Sequence, residues 1–474
     1  MVIQERDCKM DKKTEICIDS DLCTGCQRCH GVCPAGAIAG DAGCAQTIDT
    51  ARCVRCGQCV QICMAYASIY EQRETDLQKK KLAQGLLPTY RGPIFAAHYC
   101  GESQKIYEVL QASSLYKIVQ CAPAVRVSLA EEFGMDFGTL TPGKMAAALR
   151  QLGFDAVYDT NFSADLTVME ETAELLWRIE NKGVLPMFTS CCPAWVRYIE
   201  TRHPELMAHL SSCKSPQQMA GAVFKTYGAK ISGIAPEQMY SVAVMPCTAK
   251  GHEARRPEMA ARGYADVDAV LTTRELAALL KAHGVDFHTL PEAEFDYPFG
   301  LYSGAGTIFG TAGGVMEAAL RTVSVQLTGK VFDKEAVQTL YAGNGKREMR
   351  VKMGEGSLRA WTVAGLEPVE ELLQQVKEKA ADFQFMEVMS CPHGCISGGG
   401  QPKLCLETER QEAFAKRKQG LYQEDAAQNV HASHENPAIQ KIYKEFLGKP
   451  LGPISHALLH TKYGENNKTE MAEG

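Results

Sequence analysis

No stretch of this chain stays apolar over the length that a membrane span needs, so no membrane is expected as a partner. Neither sign of charge dominates: 50 Lys and Arg stand against 56 Asp and Glu, a net charge of −6. That balance gives no electrostatic reason to expect nucleic acid as a partner either. The first residues, Met1-Val-Ile-Gln-Glu-Arg-Asp, carry no apolar signal core and no twin-arginine start, which makes the cytoplasm the expected compartment. The remaining composition is that of an ordinary globular protein, 45% hydrophobic and 22% charged over 474 residues. The length suits a small domain followed by a large one of one or two lobes.

What the chain does have is twenty cysteines. Without an export signal, clustered cysteines read as metal ligands rather than disulfides. Their spacing supports this. Cys23-x-x-Cys26-x-x-Cys29-x-x-x-Cys33-Pro34 is followed by Cys53-x-x-Cys56-x-x-Cys59-x-x-x-Cys63. This is the spacing of bacterial two-cluster ferredoxins, in which each run gives three thiolates to one 4Fe–4S cubane and its fourth to the other. Cys23, Cys26, Cys29 and Cys63 are therefore expected on one cluster, and Cys53, Cys56, Cys59 and Cys33 on the other. Met64 replaces the proline of the first run and leaves every ligand in place. Any one Cys-x-x-Cys pair suits zinc, but two tandem copies with the fourth Cys at the same offset argue against it. Cys8, Cys17 and Cys44 fit no ligand spacing and read as bystander thiols. The sequence assigns no role to Cys100, Cys121, Cys213 or Cys405.

Residues 71–92 read as a charged helix joining domains, its charge run a solvated face. Beyond residue 93, short apolar runs alternate with amphipathic stretches: strands at 94–98, 117–120 and 156–158, helices at 104–113, 143–152, 273–283 and 368–381. Thr141-Pro142 reads as an N-cap with Pro at the first helical position. This rhythm implies βαβ units and a parallel sheet. Gly304-Ala-Gly306-Thr-Ile-Phe-Gly310 has the wrong spacing for a dinucleotide fingerprint and reads as a tight turn or close helix packing. His456 and His460 are four apart on an expected helix, with no acidic third ligand nearby in sequence, and read as surface or core histidines.

Three distant stretches carry the remaining signal: Thr189-Ser-Cys-Cys-Pro-Ala-Trp195, Met245-Pro-Cys-Thr-Ala-Lys250, and Glu387-Val-Met-Ser-Cys-Pro-His-Gly-Cys-Ile-Ser-Gly-Gly-Gly-Gln-Pro402. Each places Cys beside Pro or Gly at the end of an apolar run, at 185–188, 242–245 and 385–389, which reads as a buried strand. Ligands of open α/β sheets collect beyond the carboxyl ends of strands, so the three loops are expected to meet at one soft metal site. Together they resemble the signature stretches of the iron-only hydrogenases, and the stretch from Ser433 to His460 resembles that family's small-subunit segment.

The resemblance implies a two-lobed α/β catalytic domain with parallel and mixed sheets flanked by helices, preceded by a small α+β ferredoxin-like domain. The expected division is 1–80, 81–428 and 429–474. It implies that Cys192, Cys247, Cys391 and Cys395 hold the cubane of an H-cluster, with Cys395 bridging to a two-iron subsite. Carbonyls, cyanides and an azadithiolate complete that subsite, which maturation proteins install. Cys191 is left to pass protons to the bridging amine. Glu171 and Glu174 share one helix face, and the resemblance places them with Ser211 on the proton path, with Arg178 near its outer end. Lys250 should donate to a cyanide. Ala122, Pro123 and Ala124 should pack near the dithiolate, Ser215 and Gln217 should support the site, and Met245 and Met389 should flank the irons. Gly398-Gly-Gly400 permits close backbone approach. One departure is Ala194, where the family's commonest residue is glycine. The expected activity is reversible interconversion of dihydrogen with protons and electrons, exchanged with a ferredoxin-type carrier. Two rival readings are a hydrogen sensor, which should carry a signalling domain and an altered proton path, and an iron–sulfur assembly factor, which should lack the relay cysteine.

Overall fold

Seven consecutive residues, Met-Tyr-Ser-Val-Ala-Val-Met, are buried at every position and form the Met239–Met245 strand. Burial at successive positions means cover on both faces, the habit of parallel sheets. In the computed structural model this strand lies inside a four-stranded parallel sheet ordered Ala269–Thr272, Met239–Met245, Tyr116–Cys121, Ala156–Asp159. The structure describes residues 15–67, 74–111, 114–260, 262–329, 337–353, 356–404 and 406–464; Cys8 and Cys405 lie outside them. The helix Pro142–Gln151 carries the chain between two neighbouring strands as a βαβ crossover.

A second sheet is mixed. Val337–Gly343, Lys346–Met353 and Gly356–Ala364 form an antiparallel meander, and Phe385–Met389 and Met187–Phe188 continue it in parallel. Each sheet has its own apolar core, one around Val119, Val242 and Leu276, the other around Met187, Leu320 and Phe385. Between the lobes runs the long helix Thr160–Glu180, started by the Asp159 carboxylate, which accepts from Asn161 N–H at 2.9 Å. Asp159 is also held by Arg126, whose guanidinium donates to it at 2.6 and 2.7 Å and to Glu424 at 2.6 Å, all three buried. This ion triad ties the loop after Tyr116–Cys121 to the C-terminal helix Glu407–Ala427. Farther along, Ser433 and Asn436 both donate to Asp165 on the central helix, so the C-terminal segment is fastened at its middle.

The N-terminal part is small and α+β. Three two-stranded ribbons, Ile16–Ile18 with Ala97–Tyr99, Ile38–Ala39 with Thr47–Ile48, and Tyr66–Ala67 with Ile94–Phe95, surround the short helix Gln58–Ile62.

Several local expectations need correction. The strand expected at 94–98 is two strands that pair with different partners. The strand expected at 185–188 begins at Met187, after Pro186, which has no N–H to give a ladder. Thr141 takes the N-cap position ahead of Pro142 as expected, but its side chain accepts no helix N–H; its hydroxyl donates to Arg126 O at 3.3 Å. The expected helix at 368–381 is a 3-10 turn, Glu367–Val369, and a helix, Glu370–Lys377. The glycine-rich stretch from Gly304 is not a turn but a short helix, Gly304–Ile308, with Ser303 as its cap. Its glycines serve close packing, because a Cβ on Gly306 would sit 2.4 Å from Asn161 O.

Candidate active site

The three signature loops, which follow strands of both sheets, meet at one cavity. Cys191 and Cys192 follow Met187–Phe188, and Cys192 leads into the helix Pro193–Arg202 with Pro at its first position. Cys247 follows Met239–Met245, Cys391 follows Phe385–Met389, and Cys395 ends the strand Pro392–Cys395. All five cysteines line one cavity. Ala122, Pro123, Ala124, Gln217, Met245, Lys250 and Met389 share its wall. Ser215 does not. It stands behind the wall, where its hydroxyl donates to Glu253 at 2.8 Å.

The electrostatics of this cavity define what it can hold. Burial pushes the Cys391 thiol well above the ordinary range, and Cys247, Cys192 and Cys395 push it further. Burial, then Cys247 and Cys192, raise Cys395 to about 12. Burial and Cys192 raise Cys247 to about 12. Cys247, Cys391 and Cys395 therefore resist ionisation, and they carry charge only when a cationic centre offsets it. Groups of three His, Cys, Asp or Glu donors crowded within 4.8 Å lie elsewhere among the described residues. Four thiols lining one cavity have the donor chemistry of a cubane's ligand set. Gln217 Oε1 has no partner among the described residues.

The eight N-terminal cysteines sort into two groups. After burial and its own backbone contact, Cys29 is influenced by Cys23, Cys26 and Cys63. Cys59, raised by burial, is next influenced by Cys53 and Cys33, and Cys56 by Cys391, Cys59 and Cys53. Backbone N–H groups of Gln46, Ala37, Arg55 and Ala97 point at Cys23, Cys33, Cys53 and Cys63 from 3.3 to 3.4 Å. Cys26 is exposed, so one group reaches solvent, while in the other Cys56 is buried and lies near enough to Cys391 to be influenced by it. The contact is tight: a Cβ on Gly399 would sit 2.3 Å from Cys56 O.

On the opposite side lie the acidic residues. Burial raises the Cys191 thiol well above its usual range, and Glu171 is its next influence. Burial, then Glu174, lifts the Glu171 carboxyl to about 8, so it is protonated at neutral pH. Its Oε1 has no partner among the described residues. Ser211 donates to Glu174 Oε2 at 2.7 Å, and Arg178 donates to Glu174 Oε1 at 2.6 and 3.1 Å. Lys250 Nζ lies 3.1 Å from Cys191 O and 2.9 Å from Glu253.

Sequence reasoning missed Glu253, a buried carboxylate that receives Lys250, Ser215 and Gln217. Its signal was its place three residues after Lys250, on the same helix face. It also missed Gln58, which donates to Cys391 Sγ at 3.3 Å. His460 is a core histidine as read, yet it has acidic company: its Nε2 is 3.1 Å from Glu170 Oε2, and it groups with Glu174 and Cys213.

Comparison with known proteins decides the family. Residues 116–399 match the iron-only hydrogenase large subunit, C-terminal domain. The chain belongs to the iron-only hydrogenases. Residues 411–466 match the iron hydrogenase small subunit, and residues 15–64 match a 4Fe–4S dicluster domain. The NADP-reducing hydrogenase subunit HndD of Solidesulfovibrio fructosivorans is 41% identical over 478 residues, covering 96% of this chain and 75% of its own. Iron hydrogenase 1 of Clostridium pasteurianum is 38% identical over 432 residues, 88% of this chain and 75% of its own. A structure of apo hydrogenase HydA1 from Chlamydomonas reinhardtii superposes with a TM-score of 0.69 at 38% identity, covering 76% of this chain and 98% of that one. The iron-only hydrogenase is an oxidoreductase that interconverts dihydrogen with protons and electrons. Its cofactors are the H-cluster and accessory 4Fe–4S clusters, whose donor chemistry the two N-terminal groups and the cavity provide. No helix among the described residues is long and apolar enough to cross a membrane.

Proposed function

We propose that this hydrogenase exchanges electrons with a cytoplasmic ferredoxin-type carrier at Cys23, Cys26, Cys29 and Cys63, and moves protons through Cys191. Cys53, Cys56, Cys59 and Cys33 would hold the inner accessory cluster. Cys192, Cys247, Cys391 and Cys395 would hold the cubane of the H-cluster, installed by maturation proteins. When bound, the clusters supply electron storage and the site at which dihydrogen is split or formed.

The protein's own part is binding, orientation and proton movement. Lys250, charged and buried beside Glu253, places an ammonium in the cavity wall for an anionic ligand. Met245, Met389, Ala122, Pro123 and Ala124 keep the wall apolar and exclude water. Cys191 holds a proton at Sγ and Glu171 holds one at its carboxyl. Ser211 and Glu174 carry the line outward, and Arg178 fixes the Glu174 carboxylate. The observation that carries the reading is the fifth thiol, Cys191, lining the same cavity as the other four with a protonated Glu171 behind it. We take the working division of the chain to be 1–80, 81–428 and 429–474.

The test is hydrogen evolution by the loaded protein from reduced ferredoxin, read with the infrared spectrum of iron-bound carbonyl and cyanide. Both signals together support an enzyme. The infrared bands without turnover would fit a sensor, and the absence of the bands would fit an assembly factor.

A further inference from the structure

Cys17 and His98 sit opposite each other on the ribbon of Ile16–Ile18 and Ala97–Tyr99. Cys100 lies two residues beyond His98, on the same side by the period of an extended chain. The donor atoms of all three lie within 4.8 Å of one another. They are half-buried, and none belongs to the cluster sets described above.

We propose that Cys17, His98 and Cys100 bind a zinc ion. Two thiolates and one imidazole are a zinc donor set, with solvent completing the tetrahedron. The two sulfurs are 3.5 Å apart. Zinc–sulfur bonds of about 2.3 Å make a tetrahedral edge of about 3.8 Å, so a small adjustment seats the ion. The ring is set for the purpose. His98 Nδ1 lies 3.0 Å from Ala96 O. A carbonyl only accepts, so Nδ1 carries the proton and Nε2 keeps its lone pair, as in a ligand held by a backbone carbonyl.

The placement also gives the ion a task. Ala97 N–H donates to Sγ of Cys63 at 3.4 Å, and Cys100 N–H donates to Glu15 O at 2.7 Å. Zinc would staple the two strands whose ribbon supports a ligand of the solvent-facing group. No redox change of the metal is involved.

The test uses the full chain, loaded with its clusters, prepared with zinc in the medium and dialysed against a mild chelator. Metal analysis should give about one zinc per chain. The zinc X-ray absorption edge should show two sulfurs at about 2.3 Å and lighter donors at about 2.0 Å. Zinc content should fall at least about tenfold in Cys100→Ser and in His98→Ala while iron content stays unchanged. Zinc missing from the wild type, or retained in both variants, overturns the proposal. So does a Cys17–Cys100 disulfide in the alkylated wild-type chain. Where a variant also loses iron, the wild-type edge decides, and a shell with fewer than two sulfurs counts against the site.

Discussion

Gln58 reaches from the N-terminal iron–sulfur segment to the third signature loop and donates from Nε2 to Sγ of Cys391 at 3.3 Å. The same amide donates to Ser397 O at 3.0 Å, so its orientation is fixed. A residue of the N-terminal segment thus donates to a cysteine proposed as a ligand of the other cluster. Hydrogen bonds to ligand sulfur stabilise the reduced cluster and raise its potential. Gln58→Leu should lower the midpoint potential of the active-site cubane by on the order of tens of millivolts. A redox titration followed by electron paramagnetic resonance reads this, and an unmoved potential would count against the contact.

Glu171 and Ser211 should matter for rate and not for cofactor content. Glu171→Gln keeps the shape of a protonated carboxyl but cannot release its proton. Ser211→Ala removes the hydroxyl that donates to Glu174. Each should cut hydrogen turnover by about 100-fold or more, with iron content and infrared bands unchanged. Near-normal rates in both would remove the path.

Glu171 also predicts a slope of stability with pH. Its carboxyl is raised from 4.5 to about 8 in the folded chain, chiefly by burial. Below about pH 4.5 it is protonated in both states and folding pays nothing for it. Between the two values the folded state holds the extra proton, so stability falls as pH rises, by on the order of a few kcal/mol once pH 8 is passed. Glu171→Gln has no such group. Thermal unfolding at pH 6 and pH 9 should therefore show a larger loss in the wild type than in the variant; parallel losses would contradict the raised value.

Arg126 carries a fourth prediction. It is fully buried between Asp159 and Glu424. Arg126→Met leaves two buried carboxylates without a counter-charge, which should cost about 3–5 kcal/mol. The double change Arg126→Met with Asp159→Asn should recover part of that loss. Denaturant unfolding reads both.

Legibility in the sequence followed chemistry. The family and its iron–sulfur cofactors were readable because cluster binding fixes short cysteine spacings, as in Cys23 to Cys33 and Cys391 to Cys395. The second half of the buried strand Met239–Met245 was readable, because 242–245 is a continuous apolar run; its start, with Tyr240 and Ser241, was not. The meander Val337–Ala364 was not identified, although Asn344-Gly345, both at positive φ, marks its first hairpin. Its first strand is largely exposed and offers no apolar run. Gln58 and His460 could not be assigned because their partners, Cys391 and Glu170, stand 333 and 290 residues away. Cys17 and Cys100 were passed over for the same reason: a strand pairing, not a spacing, brings them together.

The most direct measurement compares the wild type with Cys191→Ala, both loaded with clusters, by infrared spectroscopy and hydrogen evolution on the same samples. The infrared bands of the two proteins should coincide, because Cys192, Cys247, Cys391 and Cys395 remain, while turnover in the variant falls by about three to four orders of magnitude. A variant that still evolves hydrogen at the wild-type rate, or that loses the bands themselves, contradicts the division of the five thiols into four ligands and one proton carrier.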